Sequence, residues 1–501
     1  MGRISLTFSL AAVAALTAAV DGIAVGGRPT PSNSAAAPTT LPPLDVSSLP
    51  SWRLRTAVST LEGIRGRDGS QGGGTRSESG NLDLLTDFHD PETGLCSEGV
   101  WHNSVLGIAL LKASRALRDG GSAEEGSAAE SLADEYRIWA RRIAFALIDL
   151  NYSPGLGFRR RTSSGRWGSV EDSPEALDEG GDFYLPGEER NCAPNALAVA
   201  FLTFLMEEFP GDESVSSAAM GAADSFLDEF FDRGSGRFLS VAGAGEAPPR
   251  AVDQAMGVLA CLRLLRAMEF EGWSGGGVGG GRKKFEVRTM AAASAESLLD
   301  DFNYGPYASE GLVPPINTLG GGSVAGSIPE YRNSWHDSLA CFAILASNAC
   351  SGRESPVGLC RFMARDYGIV SPDDSSEGDD GNDDKEGGSN TDADAGRRLL
   401  LAHDTQENRF RDGPNAYTCT QAIFDLCRRT VESETGNELR GFGDFRDGLR
   451  GFLEGSSLVA GGGERGAATL APVGTKYPQI RLWANTELAA WLMMDPEDFS
   501  I

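Results

Sequence analysis

Asp337 and Asp253 are the two carboxylates best placed for chemistry. Each stands at the head of a long apolar run, Ser334-Trp335-His336-Asp337-Ser338-Leu339-Ala340 and Asp253-Gln254-Ala255-Met256-Gly257-Val258. Glycoside hydrolysis needs two carboxyl groups, about 5–5.5 Å apart for retention or roughly 6.5–9.5 Å for inversion. First-turn carboxylates on helices packed side by side can meet either spacing. The competing role for both is that of an N-cap, which accepts bonds from unpaired backbone N–H groups. The histidines offer a second chemistry. His89, His102, His336 and His403 all fall on connections or helix starts. His336 and His102 hold matching places in their segments, and imidazole gives and takes protons near neutral pH, as epimerisation or elimination requires. Trp101, Trp335 and Trp483 add aromatic faces of the kind that stack on sugar rings, each with an N–H donor.

The helices that must position these groups recur. Trp101-His102-Asn103-Ser104-Val105-Leu106 copies the segment at Trp335, and looser copies start near Asn195, Asp253, Thr420 and Trp483. Each copy puts an Asn, Asp or Gln ahead of its apolar run: Asn103, Asn195, Asp253 with Gln254, Asp337, Gln421 and Asn485. Asn103, Asn195, Gln254, Gln421 and Asn485 are thereby candidates for binding a polar ligand. Glu487 follows Asn485 by two positions, points elsewhere on a helix, and ranks lower. Runs that are apolar on every side predict buried helices, and their repetition predicts a closed ring.

Between them lie segments charged on one side and apolar on the other, such as Ser127–Leu150, which predict outer helices. The helix from about Trp52 to Ile64 is expected to pair with the last inner helix and close the circle. Turn signals precede most inner helices: Asp90 to Leu95, Asn151 to Phe158, Asp232 to Phe238 and His403 to Phe410. An Asp or Asn followed by Gly fits a tight turn with a positive backbone angle. Axes packed ~9 Å apart in a hexagon place opposite helices roughly 18 Å apart, which leaves room for a sugar at the helix starts. In that ring the first and fourth copies lie opposite, so His102 and His336 are expected to face each other across the cavity. Glu171, Asp172, Tyr331, Arg332, Tyr417 and Arg481 could line the same opening.

Alternating inner and outer helices with turn-and-strand connections resemble the (α/α)6 toroid of the six-hairpin glycosidase-like superfamily, which includes the N-acylglucosamine 2-epimerase type. The resemblance spans about Trp52 to Met494 and rests on the repeat and on the D-x-x-T/S-G turn, as in Asp90 to Gly94. It implies an all-α fold with short β-hairpin connections on the active-site face. None of the six apolar copies opens on an Asp-Asp pair of the kind used by some mannan-cleaving members.

The net charge of −27 opposes binding to phosphate backbones and anionic membranes, which excludes nucleic acid as a partner. Residues 1–26 carry Arg3 and an apolar run ending among small residues, the pattern of a secretory signal peptide. Residues 27–50 read as a Pro/Ser/Ala-rich linker and 51–495 as the toroid, interrupted by an acidic insertion at 371–396 expected to be disordered. No membrane span remains once the leader is removed. The cysteines show no CxxC or zinc spacing, so no metal or cofactor is expected. Cys261, Cys341 and Cys427 fall inside apolar runs as core residues, while Cys350 and Cys360 flank a polar turn and could bridge.

The chain therefore reads as a secreted carbohydrate-active enzyme, most simply a glycoside hydrolase with Asp337 and Asp253 as its carboxyl pair. The alternatives are a sugar epimerase, isomerase or polysaccharide lyase working through His336 and His102, and a glycan-binding toroid without catalysis.

Overall fold

The computed structural model describes residues 44–66, 84, 88–89, 96–120, 126–159, 161–163, 190–243, 248–270, 279–310, 315–316, 318–319, 334–349, 356–366, 414–436, 449–450 and 478–500. The leader, most of the linker, the insertion at 371–396, the turns at Asp90 and His403, and Cys350 lie outside the described residues.

The helices are α1 (Trp52–Gly66), α2 (Val100–Gly120), α3 (Gly126–Asn151), α4 (Cys192–Glu208), α5 (Glu213–Phe230) and α6 (Ala251–Phe270). They continue with α7 (Gly279–Asp300), α8 (Tyr304–Glu310), α9 (Ser334–Ala346), α10 (Pro356–Asp366), α11 (Pro414–Thr435) and α12 (Pro478–Met493). Helices α2, α4, α6, α9, α11 and α12 are the predicted inner set, and they close a circuit. Each packs on the next in that order, and α12 packs back on α2. Around them α3 covers α2, α5 covers α4, and α7 covers α6. As the sequence predicts, α1 packs on the last inner helix, α12, and so seals the seam of the ring. This is an (α/α)6 toroid.

Composition explains the layering. Almost every residue of α4 from Cys192 to Glu208 is buried, because an inner helix touches protein on all sides. Helix α5 buries only Val215, Ala219, Ala222, Ala223, Ser225, Phe226, Leu227 and Phe230. Its start is fixed by Asp212, whose carboxylate accepts from the backbone N–H groups of Ser214 and Val215. Cys261, Cys341 and Cys427 are buried in the core, as expected, and Cys360 is buried in α10.

Two hairpins carry the outer-to-inner connections: β3 (Tyr152–Ser153) with β4 (Gly157–Phe158), and β6 (Phe231–Asp232) with β7 (Arg237–Phe238). In the second, Asp232 Oδ1 accepts from Gly234 N at 2.9 Å, and Gly236 adopts a φ of 70°. A third, small sheet joins β1 (Phe88–His89), β2 (Cys96–Gly99) and β5 (Arg161–Ser163). Close packing seats the hairpins against the ring. A Cβ at Gly257 would lie 2.2 Å from the Phe238 ring, so α6 needs glycine where β7 lands.

The structure extends the expected toroid boundaries at both ends. The last linker residues fold: Asp45 caps a 3-10 turn at Val46–Ser48, and Leu49 enters the core. Beyond α12, a second 3-10 turn at Pro496–Phe499 lies under the C-terminal ends of the inner helices. Phe499 meets Phe342 of α9 and Phe204 of α4 edge-on, at 5.2 Å and 6.5 Å between ring centres. Asp498 pairs with Lys112 of α2 at 2.7 Å. Arg263 of α6, fully buried over Phe204, donates to the Asp498 carbonyl and to Glu207. Helix starts gather at one end of the ring and helix ends at the other, where this turn closes it.

Candidate active site at the helix starts

The polar residues at the mouth divide by the work they do. Asn195 accepts from Phe158 N at 2.6 Å and donates to the carbonyls of Phe158 and Asn191. Gln254 does the same for the next hairpin, accepting from Phe238 N at 2.9 Å and donating to Phe238 O at 2.7 Å. Ser294 adds a bond to the Gln254 oxygen. These amides clamp β4 and β7 to the ring, which corrects their assignment to ligand binding. The physical reason is that each hairpin presents a buried backbone N–H and C=O that need partners, and an amide supplies both. Asn103 is fully buried and donates to Gly99 O, the same backward bond that Asn195 makes. Gln421 is buried on α11.

Asp253 is likewise committed to the scaffold. Fully buried, it accepts from Arg250 Nε at 2.7 Å and Nη2 at 3.1 Å. It also accepts from Ala193 N at 3.3 Å. It thus caps the neighbouring helix α4 rather than its own, and both oxygens are engaged, which corrects its expected place in a catalytic pair. Asp337 is 1% exposed and accepts the hydroxyl proton of Tyr304, on α8, at 2.7 Å.

The tryptophans overturn the open gap expected between the first and fourth copies. Trp101 of α2 and Trp335 of α9 meet across the ring, 5.3 Å between centres and 70° between planes. Their matched direction is as the repeat implies, but at this level two indoles span the width that a sugar was expected to fill. His336 lies against Trp335 with ring centres 5.3 Å apart. Burial, with a smaller push from the Arg250 charge, lowers its pKa to about 3 and keeps the imidazole neutral. His102 is half-buried on α2. The side chains of Trp483, Asn485, His89, Tyr417 and Arg481 lie outside the described residues, as do Glu171, Asp172, Tyr331, Arg332 and His403.

Glu487, ranked low from its spacing, is the group with the most unusual environment. It is 1% exposed and touches both neighbouring helices at the mouth. The Trp101 indole N–H donates to its Oε1, and the Cys419 thiol of α11 leans on the same carboxyl. Its Oε2 is buried and accepts no hydrogen bond from the described residues. Burial raises its pKa to about 8, against the smaller lowering effects of the Trp101 and Cys419 bonds. Glu487 is therefore a neutral acid at neutral pH. Burial first, and the carboxyl second, push the Cys419 thiol far up, so it stays protonated. A detectable signal was present in the sequence: Glu487 is the single charged residue in Trp483–Met494. A lone carboxyl in an apolar run marks a group held away from water.

Among the described residues no cluster of His, Cys, Asp and Glu has the arrangement of a metal site.

No family model matches the chain, and no curated protein matches it. Solved structures do resemble it. A D-mannose isomerase is 10% identical, with 89% of this chain and 99% of that chain covered at a TM-score of 0.48. A cellobiose 2-epimerase from Spirochaeta thermophila is 13% identical, covering 88% and 95% at 0.48. A family 76 glycoside hydrolase, a mannosidase from Bacteroides thetaiotaomicron, is 12% identical, covering 88% and 98% at 0.49. These are six-hairpin glycosidase-like toroids. The (α/α)6 toroid of this chain rests on its own closed circuit of inner helices.

Proposed function

We propose that the protein is a carbohydrate-active enzyme, a glycoside hydrolase, working at the mouth of the ring with Glu487 as its proton donor. One observation carries this reading: a carboxyl held neutral to about pH 8, with one oxygen bonded to an indole and the other buried without a hydrogen-bond partner among the described residues. Breaking a glycosidic bond requires an acid that still holds its proton at working pH, and burial against an aromatic wall provides that. Asp337, which stands in the first turn of α9 and accepts from the Tyr304 hydroxyl, is the candidate for the second carboxyl group. The apolar leader in residues 1–26 supports secretion and a substrate outside the cell.

The test is Glu487→Gln, which keeps shape and neutrality but removes the transferable proton. It should lower kcat about 10²- to 10⁴-fold on whichever mannan, glucan, xylan or uronate oligomer the parent cleaves. Parent-like release of reducing ends by the variant would reject the assignment. A second reading, sugar isomerisation or epimerisation, is favoured by the neutral imidazole of His336 beside Trp335. It requires solvent deuterium in the product without new reducing ends, an outcome hydrolysis does not give.

A further inference from the structure

We propose that Trp101 is a positioning residue that selects which oxygen of Glu487 carries the acid proton, and that Trp335 holds it in place from the opposite side of the ring. The proposal rests on the reading of Glu487 as the acid and adds a direction to it. A carboxylic acid has two inequivalent oxygens once one of them accepts a strong donor. An indole N–H only donates, so the oxygen it meets must act as acceptor. Trp101 meets Oε1. A carbonyl oxygen is a better acceptor than an acid hydroxyl, so the bond favours the proton on Oε2, the buried oxygen that accepts no hydrogen bond from the described residues. Proton transfer to a ligand oxygen leaves the negative charge on a carboxylate that Trp101 already bonds.

The position of the indole is set by two inner helices. Trp101 is in the first turn of α2, while its edge contact is to Trp335 in the first turn of α9, three places around the ring. An edge-to-face pair of this kind contributes about 0.5–1.5 kcal/mol beyond the area it buries. Glu487 itself comes from α12, between α11 and α2. Of the titratable groups around it, Cys419 is the neighbour supplied by α11, and its thiol remains neutral. No cation is paired with Glu487 among the described residues, which leaves the indole as the strongest donor shown on the carboxyl. Trp101, expected from sequence to stack on a sugar, is thereby committed by its N–H to an acid and by its ring to a second indole.

The experiment follows the carboxyl directly. Infrared difference spectra of the parent against Glu487→Gln isolate the acid C=O band, whose loss with pH gives the titration of Glu487. The band should disappear with a midpoint near 8 in the parent. In Trp101→Phe, which keeps an aromatic ring but removes the N–H, the band should move to higher frequency and the midpoint rise by about one pH unit, because a bond to the charged form is lost. In the parent labelled with ¹⁵N, the Trp101 indole resonance should shift with the same midpoint, a readout that needs no variant to fold. A Trp101→Phe titration like the parent's, or an indole resonance indifferent to pH across that midpoint, would overturn the positioning role. The two readings fail separately. Full activity in Glu487→Gln removes the acid from the mechanism and leaves the titration linkage standing. Lost activity in Glu487→Gln with an unmoved titration in Trp101→Phe removes only the positioning role.

Discussion

Two buried sites, one at each end of the ring, handle charge in opposite ways. At the closed end Lys112, Arg263, Glu207 and Asp498 are all buried, and each has a partner of opposite charge or a backbone carbonyl. At the mouth Glu487 is equally buried but meets, among the described residues, an indole and a thiol, and it resolves the conflict by keeping its proton. Burying an ion costs several kcal/mol unless a counter-charge and hydrogen bonds offset it. The closed end supplies those offsets and becomes a fixed structural joint. Around Glu487 no counter-charge stands among the described residues, unlike Asp253 at the same mouth with its Arg250, and Glu487 keeps its proton.

The largest expected effect comes from breaking the closed end. Arg263→Ala removes the fully buried partner of Glu207 and of the Asp498 carbonyl, leaving Glu207 the longer pairs with Arg266 and Arg115 at 3.5 and 3.6 Å. The change should cost about 3 kcal/mol in urea unfolding, since removing one member of a buried ion pair is strongly destabilising. A loss under about 1 kcal/mol would mean that the pairing there is not what closes the ring.

At the mouth the comparison is sharpened by pH. Glu487 has an ordinary value of 4.5 and a folded value near 8, so between them the native state holds a proton that the unfolded chain has released. Its contribution to stability is therefore full below about pH 4.5 and is lost as pH rises towards 8. His336 has an ordinary value of 6.5 and a folded value near 3, so between these the unfolded chain holds the extra proton and stability rises with pH. The two slopes oppose each other from 4.5 to 6.5, and only that of Glu487 acts from 6.5 to 8. Stability should fall by about 2 kcal/mol over that upper interval, at 1.4 kcal/mol per pH unit. Glu487→Gln should flatten that fall, and an unchanged slope in the variant would assign it elsewhere.

A smaller effect is expected at the hairpin clamps. Asn195→Ala leaves the backbone groups of Phe158 unpartnered and should cost about 1–3 kcal/mol, with activity falling only as far as folding does. If kcat fell instead at unchanged stability, Asn195 would belong to the site after all. The smallest concerns Glu487→Gln at pH 5, where acid and amide are both neutral. Its melting temperature should match the parent's within a few degrees, whereas a large drop would mean that Glu487 is a structural ion like those at the closed end.

Much of the architecture was legible in the sequence because it depends on local periodicity. Apolar runs in α2, α4, α6, α9, α11 and α12 marked the inner set, and the amphipathic α5 marked an outer helix. The turns at Asn151 and Asp232 were readable for the same reason, since a tight turn is decided by a few adjacent residues. The sequence also identified the polar position at each helix start, but not the use of each side chain. Asn195 and Gln254 look alike as clamps or ligand donors until a hairpin 37 or 16 residues earlier is seen against them. Asp253 caps the start of α4, 60 residues earlier in the chain, and Trp101 meets Glu487 from 386 residues away. Protonation is set by what surrounds a group in space, and for Glu487 those surroundings exist only after α12 closes between α11 and α2. Helix type could be decided by neighbours along the chain, whereas the acid at the mouth was decided by the closing of the ring.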